Sequence, residues 1–323
     1  MKVFPITKER YFRAAQQSLL GVYTRKAVYK VRLAMSPLWQ FTPFSLRKTD
    51  ADSCVIGNAI PKSGTHLLES IHAYLGKWEN IRIGLANDAW STSGDRLGKV
   101  PDGQSKMFDC VCSARFHVKK LRNGQMAQAG FSWSKGLERT IARVTDSRRI
   151  KHVFIYRDPR DIIISHMNWA TYSDSFIKQG GEGVKARRKF WLESFASDDE
   201  RLTHVIKNKI NHILVKSYAL SFEPWLHSSH CFAVKFEDLY PDIVDLKTGV
   251  LGDTLRNLLN YLEVDAATID PIVFYNKVYL RGFTASSVED KVGQYKRMFK
   301  DRHYALLDTR EFRDTLQAFG YEW

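Results

Sequence analysis

Short apolar runs, each followed by an apolar helical stripe, recur along this chain. The clearest case begins at Cys54-Val55-Ile56-Gly57, a run with the composition of a buried strand. After a polar interval, apolar residues return at Leu67, Leu68, Ile71, Tyr74 and Leu75. Spacings of three and four place them on one face of a helix. The pattern repeats at Val153-Phe154-Ile155-Tyr156, followed by Ile162, Ile163, Met167 and Trp169. It returns a third time as a strand over Cys231 to Phe236 and a helix over Leu255 to Leu262. A further strand is expected over Met107 to Cys112. Strands alternating with helices predict an α/β fold with a central parallel sheet and helices on both faces.

Between these elements, Gly76 to Gly103 reads as a long irregular stretch rich in Gly, Asn, Asp and Ser. Gly180, Gly181 and Gly183 mark a loop suited to a lid or an acceptor site. Residues 1–48 stand apart as a basic helical extension, leaving 49–323 as one domain. Basic residues dominate this extension, and Tyr11, Phe12, Ala15, Leu19, Val22 and Tyr23 fall near helical spacing. Such a helix packs its apolar face on the body of the protein, or lies as a peripheral contact on a membrane or an acidic partner.

Charge narrows the partners. With 49 Lys and Arg against 35 Asp and Glu the formal charge is +14, which favours anionic ligands. The four cysteines form no C-x-x-C pair and no zinc-like spacing with histidine, so no metal is expected. No uninterrupted apolar run spans a membrane, and the N-terminus lacks the apolar core of a signal peptide. A cytoplasmic, reducing compartment is the expectation. No nucleic-acid-binding motif is visible.

The candidate chemistry lies in the turns that follow two of the strands. Pro61-Lys62-Ser63-Gly64-Thr65 joins the first strand to its helix. A strand, a loop of small residues and a helix N-terminus present backbone N–H groups to a phosphate. Lys62 adds charge, and Ser63 and Thr65 add hydroxyl donors. The order is not that of the nucleotide loop G-x-x-x-x-G-K-[ST], because Lys62 precedes Gly64. In the second turn, Asp158 caps a helix that opens with Pro159, Arg157 leaves the strand end, and Ser165 lies two turns on. A guanidinium and a hydroxyl so placed suit a phosphate. The alternative is that Arg157 pairs with Asp161 and Ser165 is a helix surface residue.

The first loop resembles the P-K-S-G-T-[TS] loop of sulfotransferases that use 3′-phosphoadenosine 5′-phosphosulfate (PAPS). The second resembles their Y-R-[DN]-P-[RK]-D-…-S pattern, in which Arg and Ser grip the 3′-phosphate. The resemblance covers Ser53 to Phe299 and implies PAPS as co-substrate, held by Lys62, Ser63, Gly64, Thr65, His66, Arg157 and Ser165. It also implies Phe236 near the adenine, since Phe236-Glu237-Asp238-Leu239 stands where the family has [YF]-E-D-[LM]. Arg115 and His117 match the family's K-[TS]-H element, with Arg in place of Lys. They imply His117 as general base, and Lys62 with Arg115 on the sulfuryl group. Lys291 to Phe299 resembles the second half of the closing motif R-K-G-x-x-G-x-W-K-x-x-F. Gly293 aligns with it, while Val288, Glu289 and Asp290 stand where R-K-G belongs, so Lys291 or Arg281 would supply that charge. His66-Leu67 replaces a Trp that stacks on adenine in many members.

The implied reaction is transfer of a sulfuryl group to a hydroxyl of a small molecule, lipid or glycan, through a scheme that uses no metal. Two other classes compete: a P-loop-type kinase using ATP and magnesium, and a non-catalytic basic module that binds a membrane or a partner.

Overall fold

Five strands pair into one sheet in the order β2-β3-β1-β4-β5, every neighbouring pair parallel. The structure is a computed structural model. It describes residues 52–77, 79–82, 118, 121, 123–130, 133–172, 191–213, 220–282 and 291–323. The strands are β1 (Cys54–Ala59), β2 (Glu79–Arg82), β3 (Gln125–Ala129), β4 (Ile150–Tyr156) and β5 (Phe232–Lys235). Register runs Cys54 to Ile150 through Ala59 to Ile155, which sets the carboxyl ends of β1 and β4 side by side.

Alternation along the strands sorts the core into two layers, as the pleat requires. Cys54, Ile56, Ile150 and Phe154 face one side. There they meet α2 (Lys135–Arg148), α3 (Pro159–Tyr172), α4 (Asp198–Ile213) and α10 (Arg310–Ala318) through Ile141, Ile163, Leu202 and Leu316. Val55, Ala59, Val153 and Ile155 face the other side. Their partners are Leu67 and Ile71 of α1 (Thr65–Leu75), Leu239 of α5 (Phe236–Asp245), Leu258 of α6 (Asp253–Tyr261) and Phe274 of α7 (Pro271–Gly282). The α/β class and the two-sided helical cover are as the sequence predicts. Among the described residues no helix is long and apolar enough to cross a membrane.

Three local expectations change. The stretch from Gly76 is not wholly irregular, because Glu79–Arg82 forms the edge strand β2. Phe236 is not a strand residue but the first residue of α5. On its β2 side, β1 pairs with β3, Gln125–Ala129, which the apolar pattern does not announce. The strand expected over Met107 to Cys112 lies outside the described residues, as does the basic extension over 1–48.

The strand order places a switch point at the sheet's centre. The chain leaves β1 toward the β2 edge and leaves β4 toward the β5 edge, so the two departing turns diverge. Ligands of open α/β sheets bind in such a crevice, outside the carboxyl ends of the strands. Lys62 and Arg157 occupy the two turns.

Candidate functional site

The turn after β1 is tight and left-handed at two places. Lys62 adopts φ 70° and Gly64 φ 120°. A left-handed backbone costs a non-glycine residue roughly 1–2 kcal/mol, so Lys62 is held there by its surroundings. Gly64 has a second reason to be glycine: a Cβ there would lie 2.6 Å from Ile155 Cδ1 and 2.9 Å from a Phe236 ring carbon. Ser63 locks the turn. Its N–H donates to the Ile60 carbonyl at 3.0 Å, and its hydroxyl hydrogen is shared between the carbonyls of Ile60 and Ile155. Helix α1 then starts with no side-chain cap and no acid in its first turn. N–H groups of a first helical turn have no intrahelical acceptor, and the helix dipole adds positive potential there.

The turn after β4 is built differently. Asp158 accepts the Arg160 N–H at 2.8 Å, which caps α3, and pairs side-on with the Arg160 guanidinium at 2.7–3.2 Å. Arg160 in turn lies 4.0 Å from the centre of the Tyr295 ring. Asp161 is fully buried. Its carboxylate accepts the N–H of Gly293 at 2.7 Å and of Tyr295 at 3.1 Å. Segment 291–295 is thus pinned to the start of α3.

Arg157 joins the two turns. It is 5% exposed, so its charge is almost wholly withdrawn from water. Nη1 lies 3.5 Å from the Lys62 carbonyl, and Nη2 donates to the Lys291 carbonyl. Nη2 is also 3.6 Å from Asp161 Oδ2, and the guanidinium rests 4.5 Å from the Phe236 ring centre. Its Nε has no hydrogen-bond partner among the described residues. Three basic residues from distant segments, Lys62, Arg157 and Lys291, therefore gather at the switch point. Asp161, the carboxylate paired with Arg157 among the described residues, already accepts two N–H bonds.

The titration of these groups reflects that crowding. Burial lowers the Lys62 ammonium to about 7. Burial and, secondarily, the Arg157 charge lower Lys291 to about 8. Burial raises the Asp161 carboxyl, against the pull of Arg157 and the two N–H bonds. An anion placed here would restore both amines to their charged form.

Not every expected residue serves as the sequence implied. The Ser63 hydroxyl is committed to backbone carbonyls, so this residue shapes the loop instead of donating into the crevice. Phe236 is 2% exposed and sits beneath Gly64 and Arg157, which leaves it no open face for a base. His66 turns outward, 59% exposed, toward Glu69 at 3.3 Å. Thr65 opens α1, Ser165 is half-buried on α3, and Gly293 uses its N–H on Asp161 at φ 69°. Arg115 and His117 lie outside the described residues, and so does the Arg281 side chain. Arg157 does make the Asp161 pair weighed as an alternative, and it does so while bridging to Lys62 and Lys291.

Sequence reasoning missed Glu237 as a structural participant. Its carboxylate accepts the Asp158 N–H at 2.9 Å and the Tyr321 hydroxyl at 2.8 Å. The first acid of Glu237-Asp238 was visible in the motif, but nothing local pointed to Tyr321. A separate groove of about 420 Å³ runs along β5 and α6 past Tyr156, Lys235, Asn257 and Tyr261. Lys62, Arg157 and Lys291 do not line it.

The fold and site together define an α/β protein in which three basic residues, Lys62, Arg157 and Lys291, come together at the switch point of a parallel sheet. No family model matches the chain, and no curated protein matches it. Among solved structures it is similar to mouse sulfotransferase SULT7A1 complexed with PAP, with TM-score 0.45 and 12% identity over 82% of this chain and 85% of that one. It is also similar to retinol dehydratase in complex with androsterone and inactive cofactor PAP, with TM-score 0.44 and 11% identity over 84% of this chain and 83% of that one.

Proposed function

We propose that the chain is a PAPS-dependent sulfotransferase that acts on a hydroxyl of a small molecule, lipid or glycan. The observation that carries this reading is the approach of Arg157 to the Lys62 carbonyl at 3.5 Å. Two motifs 95 residues apart, each resembling a sulfotransferase element, meet at one crevice. Lys62 and the N-terminus of α1 would take the 5′-phosphosulfate, and Arg157 with Ser165 the 3′-phosphate. Lys291 would supply charge that the missing R-K-G does not.

The acceptor oxygen would attack sulfur as the bond from sulfur to the bridging phosphate oxygen breaks. Adenosine 3′,5′-bisphosphate leaves, and the acceptor proton passes to His117. Lys62 and Arg115 would stabilise charge on the bridging and sulfuryl oxygens. An imidazole of ordinary pKa, about 6.5, suits that proton transfer near neutral pH. His117→Ala would then lower turnover by about 10²–10⁴ while leaving donor affinity intact. If His117→Ala keeps near-normal turnover and His66→Ala or His166→Ala loses it, the base is misassigned.

The direct experiment is incubation with sulfur-labelled PAPS and a cell extract, followed by identification of the labelled product. Transfer of label to an organic hydroxyl supports the reading. Phosphoryl transfer from ATP with magnesium, with no sulfuryl transfer, would replace it by a kinase. A cytoplasmic location belongs to the same proposal, with residues 1–48 packing their apolar face on the body of the protein or, as the alternative, resting on a membrane.

A further inference from the structure

Arg157 is held from behind by contacts that lead to the carboxyl-terminal layer. Glu237 Oε1 accepts the backbone N–H of Asp158, the residue after Arg157, at 2.9 Å. Glu237 itself follows Phe236, the ring on which the guanidinium rests at 4.5 Å. One carboxylate therefore ties the peptide carrying the guanidinium to the peptide carrying its ring. Its other oxygen, Oε2, accepts the Tyr321 hydroxyl at 2.8 Å. Tyr321 follows α10, and its ring touches the two residues that precede this pair. It stands edge-on to Tyr156 with ring centres 6.4 Å apart, and the Lys235 ammonium lies 4.2 Å from its centre. Burial raises the Glu237 carboxyl, against the hydrogen bonds it receives from Asp158 and Tyr321, while burial and then the Glu237 charge and hydrogen bond raise the Tyr321 phenol. A partly buried carboxylate keeps its charge only if donors meet it, and these two donors do so.

We propose that Glu237 and Tyr321 are positioning residues for the anion site, which together set the direction of the Arg157 guanidinium toward a ligand phosphate. The inference rests on the function proposed above, in which Arg157 takes the 3′-phosphate. Glu237 acts through the Asp158 peptide, and Tyr321 acts through Glu237. The carboxyl-terminal layer thereby governs affinity at a crevice formed by residues far from it in sequence.

The test is a double-mutant cycle read by calorimetric titration of adenosine 3′,5′-bisphosphate into the full chain, well below its melting temperature. Tyr321→Phe and Glu237→Ala should each weaken binding about three- to tenfold, the worth of a hydrogen bond that fixes a charged group. Glu237→Gln keeps an acceptor oxygen for the Asp158 N–H and an amide donor for the Tyr321 oxygen, so it should bind within about threefold of wild type. In an Arg157→Lys background, Glu237→Ala should cost nothing further, since the group it directs is gone. A purely structural role would lower the melting temperature but leave affinity unchanged, or make the losses additive, and either result overturns the inference. If Glu237→Ala does not fold, Tyr321→Phe, which removes one oxygen, carries the same cycle. Wild-type protein that fails to bind the bisphosphate overturns the functional reading and this inference with it. Binding with additive losses overturns the inference alone.

Discussion

The turn after β1 and the turn after β4 do the same topological job with opposite means. Each carries the chain from a buried parallel strand into a helix at the switch point. After β1 the helix begins uncapped, Lys62 sits in a left-handed conformation, and its ammonium is depressed to about 7 by burial. After β4 the helix opens with Pro159 and is capped by Asp158, and Asp161 accepts two N–H groups from another segment. The second turn is tied to segment 291–295 and to Glu237 and serves as an anchor. The first keeps a lysine in a left-handed conformation and a helix start with no side-chain cap. In the proposed reading, the second turn holds the architecture and the first receives the ligand.

The comparison breaks most visibly at Asp161. Asp161→Ala leaves the Arg157 charge buried without its carboxylate and frees two N–H groups of segment 291–295. It should cost about 3–5 kcal/mol in urea unfolding. Lys62→Ala, in the other turn, should cost almost none of that. Similar losses at both positions would mean that both turns are anchors.

A smaller effect is expected at Arg157, where the two jobs overlap. Arg157→Ala should weaken PAPS by about ten- to a hundredfold, the worth of about 1.5–3 kcal/mol for a charge-assisted contact. Adenosine 5′-phosphosulfate, which has no 3′-phosphate, should lose far less. Comparable losses for both ligands would confine Arg157 to its pair with Asp161.

Smaller still is the relief of strain. Lys62→Gly should raise the stability of the ligand-free protein by about 1 kcal/mol, because glycine adopts φ 70° without a Cβ penalty. The same variant should lose anion binding. A destabilised Lys62→Gly would mean that the turn is not strained.

The finest prediction concerns protons. A base whose pKa is lowered to about 7 in the folded state binds fewer protons there than in the unfolded chain from about pH 7 to 10.5. Its burial therefore weighs most against folding below pH 7, and stability gains as pH rises through that window. Ligand binding reverses the shift. At pH 8 the bisphosphate should be taken up together with protons, at Lys62 and in part at Lys291, which is lowered to about 8. At pH 6, where both amines are already charged, the uptake should nearly vanish. Calorimetry in buffers of different ionisation enthalpy measures this directly. Equal uptake at the two pH values would place the anion away from both amines.

Much of the site's frame was legible because it is local. The apolar run at Cys54 and the stripe from Leu67 delimit β1 and α1 to within a few residues, and Asp158-Pro159 marks the start of α3. What escaped is what depends on distant partners. β2 reads Glu-Asn-Ile-Arg and β3 reads Gln-Met-Ala-Gln-Ala, patterns with little apolar signal of their own. They become strands by pairing, β3 on β1 and β2 on β3. β4 begins three residues before its apolar run because Ile150 pairs with Cys54. Residue chemistry offered the Ser63 hydroxyl to a ligand, and the family resemblance offered the Phe236 ring. Packing spends both on the loop: the Ser63 hydroxyl bonds the Ile60 and Ile155 carbonyls, and the Phe236 ring is buried beneath Arg157. The link from Glu237 to Tyr321 spans 84 residues and leaves no periodic trace.

The most direct test of a nucleotide-bisphosphate site between these turns is thermal unfolding with and without ligand. Adenosine 3′,5′-bisphosphate at a hundred times its dissociation constant should stabilise the protein by about 2.7 kcal/mol. ATP with magnesium at the same concentration should do distinctly less. Equal stabilisation by the two would reduce the crevice to a generic phosphate site, and no stabilisation by the bisphosphate would contradict the account.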